Sequence, residues 1–345
     1  MGRKFRGQAT VVGILIGLGC LAILLRQVDL KQSWNALSRL SGPYLLVPLA
    51  LFLTNLPLRA WRWQRIFSAE ARPSFGSCLT VLGIGNMANF LLPGRAGDLA
   101  RCVLVGHEPS ASQSSRTLAT LAVEKVLDGL ALAGMVLFSL WWLHPPHWVV
   151  DLLRVALLFF GGVLVALVAL RYRTRLLIEI VRAAFRWVRL PSMETKVDSL
   201  IVSFADGLTA VGSPGQMLFL FAITAAIWAC EAGLIWVLAA ALGLSIKMES
   251  AAVASAILGL AFMIPAAPGG LGTYELFGTE ALKLAGLTAS SALALTVVIH
   301  AWVFVVNIGA GVLLLAAKGL SLAQLKSRLS NPPIDSDAAA ARRSI

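Results

Sequence analysis

Long apolar runs alternate with short charged clusters along this chain, and each run of sufficient length predicts a helix. About 20 apolar residues, rising 1.5 Å each, cross a hydrocarbon core of about 30 Å. The candidate spans are Gln8–Leu25, Pro43–Leu58, Lys125–Leu143, Asp151–Leu170, Met217–Leu242 and Ser290–Ala317. Two other runs fit less easily: Cys78–Leu92, which stops at Pro93-Gly94, and Ala251–Ala267, which stops at Pro268-Gly269-Gly270. At about 15 residues the first reaches only about 22 Å, short of a full crossing.

Charge bias predicts how these pieces thread a bilayer, because Lys and Arg concentrate on the cytoplasmic side. Arg3, Lys4 and Arg6 put the N-terminus there, and Arg59, Arg62, Arg65 and Arg72 mark the same side after two crossings. Arg171, Arg173, Arg175, Arg182, Arg186, Arg189 and Lys196 form the strongest such cluster. Working back from it, Cys78–Leu92 must begin and end on one face, and Ala251–Ala289 must do so on the other. Both elements carry P-G-x-x-G, as Pro93-Gly94-Arg95-Ala96-Gly97 and Pro268-Gly269-Gly270-Leu271-Gly272. Two broken elements of opposite orientation predict an inverted repeat, with its working site between the breaks.

The fold expected is therefore an all-α, polytopic membrane helix bundle with two re-entrant broken-helix elements. Its single transmembrane domain covers residues 1–329. Its halves, about 43–170 and 214–318, are joined by an amphipathic cytoplasmic helix at about 171–190. Residues 330–345 read as a disordered tail. The run after Arg6 lacks a small-residue cleavage site, so it is expected to remain as a membrane helix.

Composition agrees with this picture. Apolar residues make up 58% of the 345 and charged residues only 13%, and the mean hydropathy is +0.81. The net charge of +12 sits beside apolar runs, where anionic headgroups rather than nucleic acid are the economical partner. Cys20, Cys78, Cys102 and Cys230 are scattered, which predicts neither a disulfide framework nor a zinc site. His144 and His147 in one turn make no metal site on their own. No serine-nucleophile, zinc-protease, phosphate-loop or dinucleotide motif is present, so no cofactor and no catalytic group is expected.

Ionisable residues within apolar segments are costly and need a reason. The densest group is Asn86, Asn89, Pro93, Gly94, Arg95, Asp98 and Arg101. The break at Pro93-Gly94 frees backbone groups, and the forked donors of Arg95 and Arg101 match a phosphate, with Asp98 to hold them when it is absent. An interfacial loop closed by a salt bridge would use the same residues. Glu124 and Asp128 are four apart on one helical face and repel unless a cation is supplied. Arg95 or Arg101 is the expected partner, and Lys125 is expected to point elsewhere. In the second element, Gly269, Gly270 and Gly272 permit tight turns, and Thr273 is placed to cap the next helix. Glu275 either faces the arginines' cavity or simply favours its helix N-terminus. Glu231, inside a span, is expected to be buried in protein or protonated. His300 and Asn307 share a face of the last span, with His300 expected as a packing residue. Glu280 and Lys283 are expected to pair. Trp61, Trp63, Trp141, Trp142 and Trp148 are expected as interface anchors.

The stretch from Asn89 to Arg101, the run Glu124-Lys125-Val126-Leu127-Asp128 and the stretch from Pro265 to Glu275 resemble the hallmarks of the lysylphosphatidylglycerol synthase transmembrane, flippase-like family. Arg59-Ala60-Trp61-Arg62-Trp63 resembles that family's Arg-rich turn. The resemblance runs from about Val11 to Lys318. It implies a domain of the inner membrane that moves an anionic, aminoacylated or polyprenyl-linked lipid between leaflets, alone, as a second copy's partner, or beside a lipid-biosynthesis enzyme. It also implies that Arg95, Asp98, Arg101, Glu124, Asp128, Glu275, Asn89, Gly94, Gly269 and Gly270 contact the lipid. Synthase relatives carry a soluble transferase domain after the membrane part, so synthase activity is not expected of this chain; the alternatives to transport are a membrane enzyme transferring a group to or from a lipid phosphate, with Asp98 or Glu124 as base, and an accessory subunit of a lipid or glycan pathway. Two positions depart from the family pattern: His300 stands where Arg is expected, and Asp98 where Glu is usual.

Overall fold

In the computed structural model the described residues are Cys20, Lys31 and 42–319, without 93–94, 106–110, 142–144, 188–193, 210–212 and 264–266. Apart from Cys20, the Gln8–Leu25 span lies outside them, as does the 330–345 tail. All the regular structure described is helical. Helices α1 (Leu46–Ile66), α2 (Phe75–Leu91), α3 (Ala96–Leu104) and α4 (Ala111–Ser139) form the first group. The lipid-facing α5 (His147–Tyr172) follows, then the short α6 (Thr174–Trp187) and α7 (Glu194–Gly207). The second group is α8 (Pro214–Ala241), α9 (Met248–Met263), α10 (Thr273–Lys283) and α11 (Ala289–Ala317).

Local chemistry sets the helix starts. Ser74, Ser213 and Thr288 each accept a hydrogen bond from the backbone N–H three residues on, at 3.2, 3.4 and 3.3 Å. Pro214 occupies the first turn of α8, where a missing N–H costs nothing. A proline sets the stop of α2, and another shapes the turn that leads into α10. Leu92, just before Pro93, is extended at φ −114° and ψ 144°, and Ala267, just before Pro268, lies at φ −56° and ψ 158°. A residue preceding proline is sterically driven out of the α region.

Helices α5, α8 and α11 are long and apolar enough to cross a membrane, whereas the apolar α2 and α9 are shorter. Leu158, Phe159, Val165, Leu218, Val305 and Leu313 face outward. Acyl chains solvate such a surface and water does not. The chain is a multi-pass helical membrane protein. Inside, α1 lies along α8, α2 along α11, and α9 against α4, α8 and α10. Small residues permit this closeness: a Cβ at Gly259 would meet the Trp228 ring, and one at Gly311 would overlap Met87.

Several expectations change. The first described span continues to Ile66 instead of stopping at Leu58, so Arg59 and Arg62 lie within α1, and Arg62 is fully buried. They point into the bundle and cannot be counted as loop charges. The span expected from Lys125 begins at Ala111. Trp63 is no interface anchor: it is fully buried and donates to Thr120 Oγ1 at 3.0 Å. Trp141 is 82% exposed, as an anchor would be. Helix α7, which packs along α4, was not expected.

Candidate functional site

The two groups of helices line an open-mouthed cavity of about 170 Å³. Arg59, Arg95, Arg101 and Lys125 line it together with Asp98, Glu124, Asp128 and Glu231. Arg62, behind Asp128, leaves this set with one positive charge in excess.

The carboxylates of α4 each have an arginine. Arg101 Nη1 and Nη2 donate to Glu124 Oε1 and Oε2 at 3.0 and 2.7 Å. Arg62 Nη1 and Nη2 donate to Asp128 Oδ1 and Oδ2 at 2.6 and 3.1 Å. Trp228 Nε1 also donates to Asp128, at 3.0 Å. These bidentate forks resolve the repulsion between carboxylates four apart. Arg101 was an expected partner, whereas Arg62, 66 residues from Asp128, was missed. Lys125 does not point elsewhere: its Nζ lies 3.6 Å from Asp98 and 3.8 Å from Glu124.

Asp98 joins the first break to this network. Asn89 Nδ2 donates to it at 3.2 Å, and Asn89 Oδ1 accepts from the Asp98 backbone N–H at 3.2 Å. Arg95 Nε donates to Asp98 at 3.1 Å. Arg95 itself has φ 55°, the one non-glycine residue with positive φ among those described. That left-handed geometry costs roughly 1–2 kcal/mol. It aims the side chain across to the second group, where Nη1 donates to the Phe262 carbonyl at 2.8 Å. Gly94 lies outside the described residues.

Glu231 is neither fully buried nor unpaired. Arg59 Nη2 donates to it at 3.1 Å, and the pair is partly exposed, at 21% and 29%. Asn55 braces Arg59, accepting from Nε at 2.6 Å. Asn86 donates to Asn307 at 3.2 Å.

Glu275 is off the cavity wall; Tyr274 takes the wall instead. Glu275 Oε2 accepts the Gly272 N–H at 2.6 Å, so Glu275, not Thr273, caps α10. Thr273 Oγ1 donates to the Gly270 carbonyl at 2.8 Å. Gly269, Gly270 and Gly272 all have positive φ, as their turns require. His300 is more than packing: Nδ1 meets Glu275 Oε1, and Nε2 lies 2.8 Å from the Gly269 carbonyl. Lys283 and Glu280 pair at 2.9 Å, as expected.

The charges differ in what they have left to offer. Arg101 and Arg62 are each 1% exposed and engaged through both terminal nitrogens. Arg59, Arg95 and Lys125 are 21%, 22% and 30% exposed. These three are the more exposed cations of the cavity, while Arg101 is held by Glu124. Replacing Arg101 by methionine strands Glu124 only in part, because Lys125 is close enough to take it over. Unfolding in mixed micelles should show a loss of roughly 1–3 kcal/mol, with Arg101→Met/Lys125→Met losing clearly more than the sum of its single changes.

Fold and site together define a multi-pass helical membrane protein with a charge-lined cavity between two broken helices. The chain belongs to the lysylphosphatidylglycerol synthase TM region family, whose sequence profile matches residues 10–327. It is also similar to the glycosyltransferase AglD of Haloferax volcanii, at 26% identity over 340 residues, covering 90% of this chain and 54% of that protein. The chain thus spans about half the length of this curated relative. No solved structure matches it.

Proposed function

We propose that the protein moves an anionic, aminoacylated or polyprenyl-linked lipid between leaflets of the inner membrane, with its N-terminus cytoplasmic. The headgroup phosphate is met by Arg59, Arg95 and Lys125 while the acyl chains stay in the bilayer. The partly exposed cations of the cavity, whose charge network has one excess positive charge once Arg62 behind Asp128 is counted, support this reading most directly. Family membership supports the lipid partner.

An inverted repeat of α1–α4 and α8–α11 is part of the proposal, with the two breaks entering as re-entrant elements from opposite faces. Helix neighbours support it. Exchanging α1 with α8, α2 with α9, α3 with α10 and α4 with α11 turns the packed pairs α1–α2, α2–α3, α3–α4, α1–α4 and α2–α11 into α8–α9, α9–α10, α10–α11, α8–α11 and α9–α4. Each of these is also a packed pair; the α4–α8 contact has no partner of like extent. The left-handed Arg95 and Gly270 each lie two residues after the proline of their motif.

The test is movement of a fluorescent anionic phospholipid in vesicles containing the purified full chain. Arg95→Gly keeps a left-handed backbone without strain and removes only the side chain. It should slow movement about tenfold or more, as loss of a charge-assisted hydrogen bond implies, and Arg59→Gln should do likewise. Unchanged rates in both variants would remove the headgroup assignment.

A second reading follows from the similarity to a named glycosyltransferase: transfer of a group to or from a lipid phosphate, with Asp98 or Glu124 as base. Glu124 already has both oxygens engaged by Arg101, which favours Asp98. Product formed from a labelled polyprenyl-phosphate donor by the purified chain would establish this reading in place of transport.

A further inference from the structure

Each carboxylate at the cavity is matched by an arginine or lysine. Glu275, behind the wall, is matched by a histidine, and this makes it chemically different. A carbonyl only accepts hydrogen bonds, so the Gly269 oxygen at 2.8 Å requires a hydrogen on His300 Nε2. The contact between Nδ1 and Glu275 Oε1 then requires a second proton between them. On nitrogen it makes an imidazolium facing a carboxylate. On oxygen it makes a neutral pair. Both arrangements hold the same number of protons and no net charge. Taking that proton away leaves a lone pair facing a carboxylate and one unbalanced negative charge, at residues only 5% and 8% exposed. A neutral ring has a single N–H, so in that state it cannot hold both Glu275 and the Gly269 carbonyl.

Among the described residues, no neighbouring element supplies a substitute. Besides His300, α11 has no ionisable side chain; α2 has only Cys78, and α9 only Glu249 in its first turn. From α8 come Cys230 and Glu231, the latter held by Arg59 of α1. On α10, Glu280 and Lys283 hold each other, and Tyr274 stacks on the His300 ring at 4.4 Å between centroids. Arg95 reaches this side only as far as Phe262.

The pair is also mechanically placed. His300 ties α11 both to the turn at Pro268–Gly270 and, through Glu275, to the cap of α10. That turn packs against α2, near the Phe90 carbonyl. Tyr274, stacked on His300, lines the cavity. Whether the proton is present thus decides whether His300 can fasten both the turn and the cap of α10 to α11 at once.

We propose that Glu275 and His300 form a proton-binding site that couples lipid movement to a transmembrane proton gradient, exchanging one proton per lipid moved. This rests on the transport reading above. The proton enters from one aqueous side and leaves to the other as the cavity changes the face to which it opens; no covalent bond is made or broken.

Two measurements on the full chain in vesicles test it. In the first, histidine is labelled with nitrogen-15, and the His300 signals, assigned by their loss in His300→Gln, are followed by solid-state NMR from about pH 4 to about pH 10. One of the two ring nitrogens should lose its proton across this range; ring nitrogen signals that never move overturn the site. In the second, the membrane potential is clamped at zero and the equilibrium distribution of a fluorescent anionic phospholipid is read. One proton per lipid and a pH difference of one unit imply an about tenfold bias between leaflets. His300→Arg, which keeps a cation for Glu275 but has no proton to release, should remove the bias. A titrating His300 with an unbiased wild-type distribution overturns the coupling and leaves transport standing. No lipid movement at all in the wild type overturns transport and coupling together, while the titration still decides whether the proton site exists.

Discussion

Replacing Arg62 by methionine should destabilise the bundle by about 3–5 kcal/mol, the usual consequence of stranding one member of a buried ion pair. Arg62 and Asp128 are buried, at 1% and 4% side-chain exposure. With the guanidinium gone, Asp128 keeps, among the described residues, only the hydrogen bond from the indole N–H of Trp228, and no described lysine stands by as Lys125 does for Glu124. The side chain of methionine fills most of the vacated space, so the loss reports charge and not a cavity. Arg62→Met/Asp128→Asn should recover much of it, because an amide oxygen still accepts from Trp228 and no charge is left uncompensated. The measurement is unfolding of the purified protein in mixed micelles, followed by helical circular dichroism. A single variant that unfolds at the wild-type midpoint would show that this fork is not what holds α1 to α4.

Much of this architecture is legible in the sequence, because lipid imposes simple rules. Apolar runs of fixed length gave Asp151–Leu170, Met217–Leu242 and Ser290–Ala317 to within a few residues of α5, α8 and α11. The Pro-Gly pairs located both helix breaks. Positions within a network were harder to read. Arg59 and Arg62 follow an apolar run as loop arginines do. Only the third dimension shows that the helix carries them another two turns inward, to partners on α4 and α8 that lie far along the chain. Lys125 adjoins Glu124 in sequence, and one-residue neighbours on a helix ordinarily diverge; here its long stem curls back to Asp98. His300 and Glu275 lie 25 residues apart, with no spacing rule to connect them. The helix at Glu194–Gly207 has only a weak amphipathic pattern, and its packing along α4 supplies what its own residues do not signal.

These misplacements have one cause. Charge near an apolar segment is read from sequence as a marker of the water interface. In this protein much of it is internal and mutually neutralised. Counting Arg59 and Arg62 as loop charges therefore inflates the topological signal after α1, which must rest on Arg65 and Arg72 alone. The same internal pairing explains why a cavity lined by eight charged residues can exist within the membrane: each strongly buried charge has a fixed partner, and only the partly exposed ones remain available to a ligand.

Gly97→Ala should abolish lipid movement with a single added methyl group. A Cβ at Gly97 would overlap the Gly85 carbonyl oxygen and come within 2.7 Å of the Asn89 backbone nitrogen, both on α2. Those are backbone atoms, which cannot rotate aside, and α2 is itself held against α11 where Gly311 meets Met87. The short α3 must therefore shift instead. It carries Asp98 and Arg101, so the shift breaks the paired Asn89–Asp98 hydrogen bonds and pulls Arg101 from Glu124 at once. Overpacking of this kind costs roughly 1–3 kcal/mol. The folded protein should therefore still be recovered, while the spacing of Arg95 and Lys125 around Asp98 is lost. Gly134→Ala is the matched comparison, because a Cβ there meets nothing within 4 Å; it should leave movement and stability unchanged. If Gly97→Ala transports lipid like the wild type, the close seating of α3 on α2 is not needed for function, and the headgroup site must lie elsewhere in the cavity.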